Sequence, residues 1–200
     1  MARYGMVIDL KRCVGCNACA AACKSEHNTP PGIFQTKVLE KEIGRFPDAN
    51  RVFVPVLCNH CERPVCAEVC PTGATYKRAD GIVMIDYEKC IACLACIEHC
   101  PYRVRTLVRD RRTLYPDGRT PFEKPVHQKI RDNAVTKCDF CHHRVEQGRP
   151  PACCEVCPTS ARVFGDLSDA ASKAARLARE YAGWPMMPEK ETRPCVLYIG

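Results

Sequence analysis

Eighteen of the 200 residues are cysteine, and sixteen of them fall into four ordered groups. The first is Cys13, Cys16, Cys19 and Cys23, spaced C-x2-C-x2-C-x3-C. The third, Cys90, Cys93, Cys96 and Cys100, repeats that spacing and runs into Pro101. The second, Cys58, Cys61, Cys66 and Cys70, is spaced C-x2-C-x4-C-x3-C and runs into Pro71. The fourth opens with Cys138 and Cys141 and closes with Cys157-Pro158. Its third member is either Cys153 or Cys154, and an internal repeat chooses between them. Cys66-Ala67-Glu68-Val69-Cys70-Pro71-Thr72 lies over Cys153-Cys154-Glu155-Val156-Cys157-Pro158-Thr159. Cys153 falls on Cys66, and only Cys153 keeps the x3 spacing to Cys157. Cys154 falls on Ala67 and reads as a small apolar neighbour.

These spacings point to iron–sulfur chemistry. The C-x2-C-x2-C-x3-C-P run is the bacterial ferredoxin signature, in which the fourth cysteine serves the other cluster of a pair. Three thiolates on a tight loop can wrap one cube. The fourth lies about one helical turn past the third and points away from it. A disulfide framework would scatter half-cystines through loops without repeating one spacing. Zinc sites pair C-x2-C units across a longer gap. Sixteen thiolates suffice for four [4Fe–4S] clusters. Cys195 is left over, in Arg193-Pro194-Cys195-Val196-Leu197-Tyr198-Ile199, and reads as a buried free thiol beside a short C-terminal strand.

The formal charge of +7 counts cysteine as neutral. Four oxidised cubes with their thiolates would add roughly −8, leaving the loaded protein near neutral. No nucleic-acid motif is present. The first ten residues hold no signal-type apolar run, and no segment has the ~18 apolar residues of a membrane span. We therefore expect metal uptake in a reducing compartment, and contact with a membrane only through a partner.

The elements that must hold these loops are short. Met6–Asp9 and Ile82–Asp86 alternate like strands and lead into groups one and three, and Met6-Val7-Ile8-Asp9 lies over Val83-Met84-Ile85-Asp86. Val52–Leu57 reads as an edge strand because of Pro55. Cys19–His27 and Cys96–Cys100 read as helical stretches. Ser168–Ala182 reads as a helix capped by Ser168, and the residues from Trp184 onward as an extended arm lying on a partner or on the cluster domain. His60, His142 and His143 flank ligand positions as tuning candidates, as do Lys11, Arg12, Lys24, Lys89 and Lys137; ordinary surface charge is the alternative for the lysines and Arg12. The fold class expected is α+β, with duplicated bacterial-type 2[4Fe–4S] ferredoxin-like domains. One covers 1–50 plus 132–167, the other 51–105. A basic insertion over 106–131 and a C-terminal helix and arm over 168–200 complete the chain.

The four ordered groups, the x4 gap in group two and the long gap in group four resemble the four-cluster iron–sulfur subunits of the complex iron–sulfur molybdoenzyme (dimethyl sulfoxide reductase) family. Met6-Val7-Ile8-Asp9, Cys13-Val14-Gly15-Cys16, Cys58-Asn59-His60-Cys61 and Phe164-Gly165-Asp166-Leu167 look most like the beta subunits of polysulfide, thiosulfate, tetrathionate and arsenate respiratory reductases. The resemblance implies four ligand sets: Cys13, Cys16, Cys19 with Cys157; Cys138, Cys141, Cys153 with Cys23; Cys58, Cys61, Cys66 with Cys100; and Cys90, Cys93, Cys96 with Cys70. It implies a non-catalytic relay of electrons between a molybdenum or tungsten bis-pterin catalytic subunit and an integral membrane quinone-handling subunit. It also implies attachment to the membrane through partners, on the periplasmic face by co-export or, alternatively, on the cytoplasmic face. A wiring subunit of a hydrogenase or formate-linked complex, or a free polyferredoxin, is the competing reading.

Overall fold

A computed structural model describes residues 2–111, 115, 118, 120, 121 and 130–200. Most of the expected basic insertion lies outside the described residues. The chain forms β1 (Tyr4–Asp9), α1 (Ala18–His27), β2 (Thr36–Ile43), β3 (Asn50–Leu57), α2 (Val65–Glu68), β4 (Thr75–Lys77), β5 (Val83–Ile85), α3 (Ala95–Glu98), β6 (Thr106–Val108), β7 (Ala134–Thr136), α4 (His142–Val145), α5 (Ala152–Glu155), β8 (Arg162–Asp166), α6 (Lys173–Glu180), β9 (Trp184–Pro185), a 3₁₀ turn at Pro188–Lys190, and β10 (Val196–Ile199).

One rule generates most of this topology. Each cysteine group has a strand before it and a strand after it, and the exit strand of one group pairs antiparallel with the entry strand of the next. Group one leaves through β2, which pairs with β3 leading into group two. Group two leaves through β4, paired with β5, and group three through β6, paired with β7. Group four leaves through β8, which returns to pair with β1. Four strand–loop–helix–strand units thus close into a ring. This is the duplicated ferredoxin-like α+β architecture expected from the cysteine spacing.

Around β1 the ring gains a sheet of order β8-β1-β10-β9. Strand side chains alternate between faces. Met6 and Ile8 join Val196 and Tyr198 on the side of the cysteines, while Val7 and Ile199 turn to the other side and pack on Ala174 of α6. Both faces are covered, which is why Met6-Val7-Ile8 is an unbroken apolar run. β10 runs parallel to β1 in the sheet's interior. The expected arm therefore lies on the cluster domain, and Tyr198 donates from its hydroxyl to the Pro55 carbonyl at 2.9 Å. Cys195, 1 % exposed, precedes β10.

Two expected elements differ. The helix starts later than Ser168, at Lys173, with Ser172 as its cap accepting from the Ala175 N–H at 3.1 Å. Ser168 is occupied instead: its N–H and hydroxyl both donate to Asp166 Oδ1, at 2.8 and 2.6 Å. The Val52–Leu57 strand is longer, beginning at Asn50, and its partner β2 has a charged sequence that hid it; β2 stands in solvent from Leu39 onward, while β3 is half-buried or buried from Val52 onward.

The loops themselves need left-handed backbone. Gly15 and Asn17 of group one have φ +69° and +59°, and the equivalent Ala92 and Leu94 of group three have +53° and +65°. Alanine is evidently tolerated at that bend. A Cβ on Gly15, however, would lie 2.3 Å from the Phe53 ring. We expect Gly15→Ala to lose iron from the group-one loop and Gly15→Ala/Phe53→Ala to recover most of it, since the left-handed penalty alone is only about 1–2 kcal/mol. Iron-to-protein ratios of the two variants check this.

Candidate metal centres

The ring brings the sixteen cysteines together in fours, and each four draws three from one group and one from its pair-mate. Cys13, Cys16, Cys19 and Cys157 line one cavity together with Val14, Asn17 and Arg162. Cys70, Cys90, Cys93 and Cys96 line another with Ile91 and Leu94. Cys138 is fully buried against Cys23, Cys153 and Cys141; burial and then their charge push its thiol well up. Cys61 lies against Cys58, Cys66 and Cys100 and is pushed up to about 12, first by burial and then, despite a bond to Thr192, by those neighbours.

Cys153 and Cys154 separate cleanly. Cys153 is buried within the Cys138 quartet, whereas Cys154 is only half-buried and packs at its edge. A bond from Cys154 and the nearby Arg162 charge hold Cys153 low, against the effect of burial. Cys154 is correspondingly pushed up by its bond to Cys153.

The fourth cysteines of groups two and four are presented alike. Cys70 Sγ accepts from the Thr75 N–H at 3.4 Å and Cys157 Sγ from the Ala161 N–H at 3.3 Å. For both, burial works upward, but these bonds and those from Thr72 and Thr159 win and the thiols are lowered. The prolines after them thus start a turn that folds amide hydrogens back onto sulfur.

The two inner loops meet ring to ring. Cys58-Asn59-His60-Cys61 and Cys138-Asp139-Phe140-Cys141 place His60 and Phe140 at φ +43° and +55°. The two rings stack with centroids 3.8 Å apart and planes at 22°. His60 is fully buried, and its Nδ1 accepts from the Val83 N–H at 3.0 Å. The quartets consequently run in a row: the Cys13 set, the Cys138 set, the His60–Phe140 seam, the Cys58 set, the Cys90 set. Cys16 and Cys93, at the two ends, are exposed.

The other tuning candidates divide. His142 Nδ1 pairs with Asp139 at 2.7 Å, and His143 Nε2 with Glu26 at 2.7 Å, so both rings engage carboxylates. Lys89 pairs with Asp86 in solvent. Lys24 and Lys137 are not ordinary surface charges. Lys24 Nζ donates to the carbonyls of Thr29, Pro30 and Ile33 at 3.1, 2.8 and 3.1 Å and closes the loop after α1. Lys137, 2 % exposed, donates to the carbonyls of Val83 and Cys138 and ties the two halves together. Cysteine spacing does not disclose three further residues that touch the sulfurs. His27 Nε2 lies 3.2 Å from Cys141 Sγ, Arg105 Nη2 donates to Cys66 Sγ at 2.8 Å, and Arg162 stands against Cys153 and Cys19.

The donor sets fit iron–sulfur cubes: four soft thiolates each, largely screened from water. Arg162 Nη1 and His60 Nε2 are buried without a hydrogen-bond partner in the protein, a costly arrangement that sulfur acceptors on a cube would relieve. Family models described as 4Fe-4S dicluster domain match residues 49–115 and 108–167, and, by a second model, residues 12–74. The chain is 38% identical to the arsenate respiratory reductase iron-sulfur subunit of a Shewanella species, over 98% of this chain and 96% of that protein. It is 38% identical to a subunit of the tetrathionate reductase of Salmonella typhimurium, over 99% of this chain and 72% of that protein. To a subunit of the selenate reductase of Mesobacillus selenatarsenatis it is 41% identical, over 97% of this chain and 70% of that protein. The chain belongs to this family of dicluster iron–sulfur subunits. It binds 4Fe–4S clusters and works as a non-catalytic electron-transfer subunit.

Proposed function

We propose that the four quartets each hold one [4Fe–4S] cube, four in all, and that the protein relays electrons between a molybdenum or tungsten bis-pterin catalytic subunit and a membrane quinone-handling subunit. The observation that carries this reading is the succession of quartets, in which each thiol set neighbours the next and only the end sets expose a ligand. Each cube, when bound, takes up and releases one electron. The protein's residues do the rest: thiolates hold the irons, the stacked rings and buried lysine join the two pairs, and the ends stay open. Val14 and Ile91, each following the first cysteine of its loop, are 55 % and 63 % exposed. Apolar residues beside an exposed ligand suit close docking of a partner at either end.

Among the described residues no helix is long and apolar enough to cross a membrane, so the membrane contact in this reading belongs to a partner. Placement on the periplasmic face, by co-export with the catalytic subunit, is part of the same proposal. Anaerobic co-purification with metal analysis tests it. About sixteen irons per chain and molybdenum or tungsten in a larger partner are expected. About eight irons, zinc, or a nickel–iron partner would count against it. Protease accessibility in spheroplasts decides the face.

A further inference from the structure

Two buried arginines stand at the same distance past the Cys-Pro step that closes a cysteine group. Arg105 follows Cys100 at the same distance as Arg162 follows Cys157, in Cys100-Pro101-Tyr102-Arg103-Val104-Arg105 and Cys157-Pro158-Thr159-Ser160-Ala161-Arg162. Each stands where the exit strand begins, Arg105 just before β6 and Arg162 at the first residue of β8. Both are buried, 5 % and 3 % exposed.

Each stands among the cysteines of both quartets of its pair. Arg105 Nη2 donates to Cys66 Sγ at 2.8 Å and Nη1 to Thr75 Oγ1 at 3.1 Å. The charge of the same guanidinium also bears on Cys96. Cys66 and Cys96 belong to the two different quartets of one pair. Arg162 Nη2 donates to Thr36 Oγ1 at 3.0 Å, and its buried Nη1 has no partner. Its charge bears on Cys153 and Cys138 of one quartet and Cys19 of the other. Neither arginine forms an ion pair with a carboxylate among the described residues. A buried guanidinium cannot shed its proton, and leaving its charge uncompensated is expensive. The negative charge that offsets it is that of the thiolates on either side.

We propose that Arg105 and Arg162 are fixed cations, each shared by the two cubes of its own pair, and that each raises the midpoint potential of both those cubes. The inference rests on the four-cube reading above. Reduction of a cube adds one negative charge. A permanent cation in a poorly polarisable site favours the reduced form, as do hydrogen bonds to sulfur. Within a pair, one electron leaves one cube as it enters the other. No bond forms or breaks, no proton moves, and the charge of the pair is constant. An arginine between the two keeps its attraction wherever the electron sits, so neither cube becomes a trap. Lys24 and Lys137 keep their charge, and that of Lys137 also bears on Cys66, but among the described residues both donate to backbone carbonyls and neither donates to a ligand sulfur; Lys89 is paired in solvent.

The test is an EPR-monitored redox titration of the anaerobically purified complex carrying Arg162→Gln, Arg162→Lys, Arg105→Gln or Arg105→Lys. Iron content of the unsubstituted protein tests the four-cube reading separately. With Arg162→Gln, the reduced-to-oxidised ratio at a fixed poise is expected to fall about tenfold for the two cubes of the group-one and group-four pair, which is 59 mV for a one-electron couple. The other pair stays in place, and Arg105→Gln does the reverse. The shift is the same at mildly acidic and mildly alkaline pH, because guanidinium does not titrate. The lysine variants keep a charge but lose the fork, and shift the same two cubes by less. Glutamine variants that load fully with unchanged midpoints overturn the proposal, as does a shift spread over all four cubes. If a glutamine variant fails to load its pair, the lysine variant decides, and unchanged midpoints there overturn it too.

Discussion

Cys153→Ala is expected to remove about a quarter of the iron, and Cys154→Ala none of it. The two residues are neighbours on the one-turn helix α5, yet they face different surroundings. Cys153 is 6 % exposed and lies among Cys23, Cys138 and Cys141. Cys154 packs at the edge of the same core, as a partly buried apolar side chain. Removing it trims one sulfur from a site that can partly collapse, at roughly 1 kcal/mol. Removing Cys153 strips a ligand from a closed quartet. Iron-to-protein ratios and the dithionite-bleachable absorption distinguish the outcomes. The double variant should match Cys153→Ala. A Cys153→Ala protein with full iron, losing a cube only in the double variant, would show Cys154 to be a working substitute and would sink the assignment.

Stripping the iron is expected to unfold most of the molecule. Helices α2, α3, α4 and α5 have four residues each, and β4, β5, β6 and β7 three each. Helices that short do not persist in water on their own. The core around the group-two and group-three pair is Ala74, Ile85, Ala134 and Val135 with Cys90 and Cys96, small side chains arranged around ligands. Metal binding is then folding energy, as in other small metal domains. The sheet near α6 is different, because Met6, Ile8, Val196 and Tyr198 on one face and Val7, Ile199 and Ala174 on the other bury one another. We expect that sheet to hold longest, and limited proteolysis of chelator-treated protein to cut first between residues 58 and 100. Far-UV circular dichroism follows the loss. An iron-free protein with the holoprotein's spectrum and protease resistance would refute this account.

The ligand loops were legible because thiolates reaching one small cube leave little freedom in spacing. The two strands before groups one and three were legible as well, since both faces of β1 are buried and the apolar run shows it. β2 was not, because Thr36–Ile43 carries mixed charge in solvent and, among the described residues, its only strand partner is β3. The fate of the last residues was equally hidden: nothing in Val196–Ile199 says that it will enter the sheet beside β1, a pairing set by tertiary contact. Ser168 offered a cap as good as Ser172, and the nearby Asp166 carboxylate decided between them. Arg105 and Arg162 could have been found. Their common distance from the Cys-Pro steps is visible in the residues, but an arginine after a cysteine loop reads as surface charge until its burial is known.

The ring of strand pairings has a consequence for biogenesis. The Cys58–Cys100 stretch contains every sulfur of the two quartets on one side of the seam, so it can be completed while the rest of the polypeptide is still on the ribosome. The remaining quartets join Cys13 to Cys157 and Cys23 to Cys153 and must wait for the later stretch. The polypeptide thus permits sequential loading, with the pair from groups two and three complete before the pair from groups one and four closes.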